Sequence, residues 1–166
     1  MITLQTRVHL EGVTGQAIYR FMLTATDREY RAWWPGVHLE FHPVRRSLGD
    51  VGTVVYMDEF VGPFRVRGTG VVVEAVPGKK IVWQMAWWVR LPVWLCLELE
   101  DDPRGVSITH TVRAGFAGFG RVLDPLLRCY LSRAFAAALD EHVKAEFPRL
   151  RDLLAGAAGA AQAAGT

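Results

Sequence analysis

Cysteine is scarce in this chain. Cys96 and Cys129 are the only two, they fall in separate segments, and no CxxC spacing occurs. A thiol-based metal or redox motif is thereby excluded. Both read as reduced, packed thiols of a cytoplasmic protein, with a single disulfide between them as the lesser alternative. A surplus of either charge is missing as well: 19 Lys and Arg against 17 Asp and Glu leave +2. That is too little for the field by which a domain gathers nucleic acid. No apolar run reaches the ~18 residues that a bilayer span needs. The longest, Ala86 to Leu97, is broken by Arg90 and Pro92, so no transmembrane segment is expected. Met1 to Val8 alternates like a strand and lacks the apolar centre of a signal peptide. GxSxG, HExxH, Walker and dinucleotide-binding motifs are all missing, so no reaction is announced by a linear motif and no cofactor is expected.

What the chain does have is hydrophobic bulk, 51% of its residues. That is enough for the core of one domain without metal or disulfide support. Ile2, Leu4, Val8 and Leu10 alternate with Thr3, Gln5, Arg7 and His9 as in a strand. Thr14 is placed to cap a first helix whose buried side holds Ile18, Phe21 and Met22. Thr26 and Glu29 form a capping-box pattern for a second short helix, which Pro35-Gly36 stops after Trp33 and Trp34. Leu39 and Phe41 then suggest a short strand. Further strand-like segments follow at 53 to 60, 64 to 75, 80 to 88, 93 to 100 and 105 to 113, joined by Gly62-Pro63, Pro77-Gly78 and the turn at 101 to 105. Turns rather than helices link them, which makes the sheet antiparallel.

The period then changes. From Asp124 to Leu154, Leu127, Leu131, Phe135, Leu139, Val143, Phe147 and Leu150 recur at three- or four-residue spacing, the stripe of one long amphipathic helix. Asp124-Pro125 suits its start, with an earlier turn at 118 to 123 as an option, and Pro148 should kink it. Residues 1–154 therefore read as one domain. Residues 155–166, almost all Ala and Gly, read as a flexible tail that frays.

The order strand, two short helices, six strands and long terminal helix resembles the START-like superfamily, also called SRPBCC or Bet v 1-like, with bacterial polyketide cyclase/dehydrase-type members the nearest in kind. The resemblance rests on Thr26-Asp-Arg-Glu through Trp33-Trp34-Pro35, on Val51-Gly52, on Val76-Pro77-Gly78-Lys79-Lys80-Ile81-Val82-Trp83, and on Gly105-Val-Ser-Ile-Thr-His110-Thr. It implies an α+β helix-grip fold, a seven-stranded curved antiparallel sheet around the C-terminal helix, with an apolar cavity between them. Such a scaffold carries many functions, so the fold alone does not choose one.

Strand phase supplies the candidate residues. Ile81, Trp83, Met85, Trp87 and Val89 share one face, and Val93, Leu95, Leu97 and Leu99 share another. With six tryptophans in the chain, these faces suggest an aromatic-lined hollow, although a packed core has the same pattern. The expected walls for a hydrophobic, lipid-like or polycyclic small molecule are Trp33, Trp83, Met85, Trp87, Leu95, Leu97, Leu127, Leu131 and Phe135, with His110 as a polar contact. Gly68 and Gly70 leave room for a ligand or mark a bend.

His110 shares its face with Val106 and Ile108, and should point inward. It and Tyr56 are the candidate acid/base residues if the fold acts as an aromatase/cyclase. A partner-binding or stress-related module is the third reading. His38, Glu40 and His42 would line up on one strand face, but Leu39 and Phe41 claim the core side, so that trio reads as solvated and no metal is expected. His142 and Glu146 read as a solvated helix flank. Exposed tryptophans between Ala86 and Trp94 would allow peripheral membrane contact. The chain is compatible with a monomer or a homodimer.

Overall fold

β1 (Ile2–Glu11) alternates half-buried and exposed residues along its length, as its sequence requires of an edge strand covered on one side. In this computed structural model, which describes residues 1–116 and 118–164, two helices carry the chain from β1 across to the far edge of the sheet. α1 (Gly15–Thr24) is capped by Thr14, whose side chain accepts from the Ala17 N–H. α2 (Asp27–Trp33) has a complete capping box, with Thr26 accepting from the Glu29 N–H and Glu29 from the Thr26 N–H.

β2 (His38–Arg45), β3 (Val54–Val61), β4 (Phe64–Val76), β5 (Lys80–Ala86), β6 (Arg90–Asp102) and β7 (Gly105–Ala114) follow. They form one antiparallel sheet in the order β1-β7-β6-β5-β4-β3-β2. Thus β7 returns to pair with β1 from Ile2↔Ala114 to Glu11↔Gly105. Only glycine fits at that last pair, because a Cβ on Gly105 would lie 1.9 Å from the Leu10 carbonyl oxygen. The seven-stranded helix-grip architecture is as the resemblance implied.

The closing stripe is not one helix. α3 (Asp124–Tyr130) stops, the chain turns at Leu131 and Ser132, and α4 (Arg133–Ala164) begins. Ser132 makes the restart possible: its Oγ accepts from the Phe135 N–H at 3.2 Å and its carbonyl from the Ala136 N–H. A regular apolar stripe runs unbroken through such a cap, which is why spacing alone merges the two helices. Pro148 lies inside α4 without ending it, and helix extends through Ala164 into the Ala/Gly segment. Of the expected tail, residues 165 and 166 lie outside the described residues, as does Ala117.

α4 packs across β1 and β3 and against α2. Its Leu139, Val143, Phe147 and Leu150 are buried together with Leu10, Ile18, Trp33, Phe41, Trp83, Leu97 and Ile108. Burial of apolar side chains at about 1.5–3 kcal/mol each is what fastens the helix to the concave face.

Candidate functional site

Four polar side chains from three elements meet in this core, His38, His142 and Glu146 buried and Glu59 partly buried. The first arrives through a backbone irregularity. Along a regular strand His38 would share a face with Glu40 and His42, but the β2–β3 register shifts between His38 and Glu40. That bulge turns His38 inward, fully buried, while Glu40 is exposed. His42 is left on the surface side, 2.8 Å from Asp27. The expected solvated trio therefore does not exist, and its first member is a core residue.

β3 supplies the second. Met57 and Glu59 face inward, whereas Tyr56 and Asp58 belong to the opposite face, Tyr56 lying beside the His42 ring and Asp58 gripped by Arg65 at 2.9 and 2.6 Å. Tyr56, a candidate acid/base residue by sequence, is thus outside the interior. α4 supplies His142 and Glu146, one turn apart and both buried. The expectation that they form a solvated flank is corrected by the rotation of α4, which turns this edge of its stripe under α2.

The separations are 3.5 Å from His38 Nε2 to Glu146 Oε1, 3.6 Å from His142 Nε2 to Glu146 Oε2, and 3.8 Å from His38 Nε2 to Glu59 Oε2. All are longer than a hydrogen bond. Aromatic side chains fix the group from outside. Tyr30 stacks on His38 with ring centroids 4.1 Å apart, and its hydroxyl donates to Glu59. Trp34 stacks on His142 at 4.9 Å, and Arg149 covers the outer face of Trp34 at 4.3 Å. The Trp33 indole donates to the Glu146 carbonyl at 2.7 Å.

Burial governs the protonation of the group. It holds His38 down at about 3, helped by His142, and His142 at about 4, helped by Arg149. His110, nearby on β7, is held at about 4 by burial and then His142. Burial drives Glu59 and Glu146 upward, and their mutual repulsion adds to the rise at Glu146. The Tyr30 hydroxyl is raised well above its ordinary value by burial and the Glu59 carboxylate. Near neutral pH the interior thus favours neutral imidazoles beside protonated or shared carboxyls.

A void of about 40 Å³ opens between this group and the sheet. Glu59, His110, His142 and Glu146 border it on the polar side; Trp33, Phe41, Trp83, Leu95, Leu97 and Phe147 are among the apolar walls. At about 10–15 Å³ per water, that is space for roughly three or four waters. Trp83 also carries a buried indole N–H with no partner among the described residues. Gly70 lies against that side chain, where a Cβ would come within 3.2 Å of the Trp83 Cβ and 3.4 Å of its ring, so this glycine makes room for a tryptophan.

Of the residues expected to line a cavity, Trp33, Trp83, Leu95, Leu97 and His110 do so. Met85 is half-buried beside Gly68, Leu127 is partly covered, and Leu131 and Phe135 are buried elsewhere in the core; none borders this void. Trp87 is corrected outright. β5 ends at Ala86, and Trp87 and Trp88 stand 76% and 91% exposed at the hairpin tip. Sequence reasoning missed Glu59 altogether and named His38, His142 and Glu146 only to leave them in solvent. Their signal was present in part, as a His and a Glu four apart on a stripe otherwise buried.

No family model matches this chain, and no curated protein does. Solved structures match over most of its length. Protein TTHA0849 from Thermus thermophilus is similar at 12% identity and a TM-score of 0.63, over 94% of this chain and 99% of that one. Protein NE0264 from Nitrosomonas europaea is similar at 16% and 0.55, over 94% and 97%. Major latex-like protein 151 from Panax ginseng is similar at 10% and 0.56, over 85% and 96%. The likeness is one of fold: the chain has the START-like, Bet v 1-like helix-grip architecture.

Proposed function

We propose that this protein binds a small, mainly apolar molecule carrying one polar group in the space between the sheet and α4. The observation that carries the reading is the enclosed void itself, aromatic on one side and edged by convergent polar groups on the other. The unpartnered Trp83 indole N–H offers such a guest a donor, and His110 a second contact. A guest larger than a few waters requires side chains to move, and Met22 and Met57 on the walls are the adaptable ones. Removing apolar surface from water at ~25 cal/mol per Å² suffices for micromolar affinity once about 330 Å² is covered. Trp87 and Trp88 at the β5–β6 tip would let the binder touch a bilayer from which it draws that guest. Native mass spectrometry of protein purified from cells, with displacement of a hydrophobic dye, tests the reading. A bound apolar molecule is expected. No co-purifying molecule and no dye uptake would overturn it.

A second reading, proton transfer on a bound polyketide-like guest, is favoured by one specific observation. Groups pushed toward opposite protonation states, a neutral imidazole at His110 and raised carboxyls at Glu59 and Glu146, face the same void. His110→Ala would then abolish turnover while leaving guest binding near its original strength. Unchanged turnover removes His110 from that role.

A further inference from the structure

We infer that His38, Glu59, His142 and Glu146 form a binding site for one divalent transition-metal ion of the zinc class. Each offers one donor atom, and all four donors lie within 4.8 Å of one another. Zinc bonds of about 2.0–2.2 Å in a tetrahedron place neighbouring donors about 3.3–3.6 Å apart. The 3.5 Å from His38 Nε2 to Glu146 Oε1 and the 3.8 Å from His38 Nε2 to Glu59 Oε2 lie at or just beyond those edges, the 3.6 Å from His142 Nε2 is to the other Glu146 oxygen, and all three are too long for direct hydrogen bonds.

The two imidazole nitrogens have no other use, whereas Glu59 Oε2 also accepts from the Tyr30 hydroxyl. Among the described residues, Nε2 of His38 and Nε2 of His142 are buried without a partner. An orphaned buried polar atom destabilises the fold, and two adjacent carboxylates withdrawn from water cost more when both are charged. A dication satisfies both imidazoles and cancels both carboxylates at once. The alternative, a carboxyl proton shared with an imidazole, requires contacts some 0.5 Å shorter than those seen.

The surroundings are those of a held ligand set. The Tyr30 hydroxyl donates to Glu59, its ring clamps His38, and Trp34 clamps His142. Such outer contacts orient the ligands and set their basicity. Two nitrogens and two carboxylates suit zinc, cobalt or ferrous iron and disfavour calcium and magnesium, which want six or more oxygens. Access is short, because His142 borders both the inner void and an outer groove beside Trp34, Val37 and Phe60.

The metal site shares Glu59, His142 and Glu146 with the edge of the void, but its test requires no guest. Tag-free protein, stripped by chelator, is titrated with Zn²⁺ by calorimetry and with Co²⁺ by visible absorption near neutral pH. One equivalent of each, with tetrahedral Co²⁺ bands abolished by Zn²⁺, is the expected result. His38→Gln and Glu146→Gln should each weaken binding by more than about 100-fold, and Tyr30→Phe by about 10–100-fold. His9→Gln, at a surface pair with Asp102, should change nothing. Circular dichroism of the metal-free variants identifies any that fail to fold, and Tyr30→Phe with the wild-type titration then decides. No stoichiometric binding, octahedral Co²⁺ bands, or affinities untouched by all three substitutions would overturn the assignment.

Discussion

Two aromatic pairs of this chain, Trp33-Trp34 and Trp87-Trp88, are alike in sequence and opposite in environment. Trp33 is 2% exposed, edge-packed against Phe21, Tyr30 and His38, and bonded to α4 through its indole N–H. Trp88 is 91% exposed and touches mainly Trp87. The difference lies in what stands opposite. α2 is sandwiched between β2 and α4, whereas the β5–β6 hairpin projects beyond the part of the sheet that α4 covers. Aromatic content therefore says nothing of a wall until a second layer is placed against it.

Breaking the buried pair should have the largest effect. Trp33→Ala removes the ring that meets His38 and the Glu146 carbonyl, and a loss of about 3–5 kcal/mol is expected by urea denaturation. A loss below about 1 kcal/mol would mean that the α2–α4 contact contributes little.

Acid should come next, and it acts on the buried side alone. Between about pH 4.5 and 6.5 the unfolded chain protonates three imidazoles that the fold keeps neutral, His38, His110 and His142. In the same window the fold retains protons on Glu59 and Glu146 that the unfolded chain releases. Three against two leaves the unfolded state with more protons, so metal-free protein loses stability as pH falls through this window, on the order of 1 kcal/mol per pH unit. Above about pH 6.5 the imidazole contribution tapers off, complete by about pH 7.5, while the raised carboxyls still titrate, so stability declines again toward alkali. A melting temperature that peaks near neutrality checks both limbs; a profile still rising well into the alkaline range would contradict the carboxyl assignment.

Gly70→Ala sharpens the contrast inside the sheet. The added methyl meets Trp83 at 3.2 Å, and a loss of about 1 kcal/mol with a shifted indole fluorescence is expected. The smallest effect belongs to the exposed pair. Trp87→Ser with Trp88→Ser should move stability by less than about 0.5 kcal/mol. The same double variant should lose sedimentation with lipid vesicles, and retention of that binding would separate the tip from any membrane role.

Much of the fold was legible. Alternation gave the strands, turn residues at Gly62-Pro63 and Pro77-Gly78 gave antiparallel hairpins, and Thr26 with Glu29 gave the start of α2. The site was legible only in fragments. His38 was assigned to solvent because period-two alternation cannot anticipate the bulge between His38 and Glu40. Glu59 carried no signal, since a glutamate between Asp58 and Phe60 looks like any exposed strand residue. His142 and Glu146 sit on the flank of the helical stripe, where spacing leaves inside and outside undetermined. The break before Ser132 was hidden by a cap that interrupts hydrogen bonding without interrupting the apolar rhythm.

The order of elements, the antiparallel sheet and the amphipathic faces were determined by the sequence itself, because turn chemistry and side-chain period act between near neighbours. The meeting of His38, Glu59, His142 and Glu146, and the opposite fates of the two tryptophan pairs, were decided by tertiary structure. Those outcomes depend on one bulge and on the rotation and reach of α4, which are set by packing between residues as many as 108 positions apart.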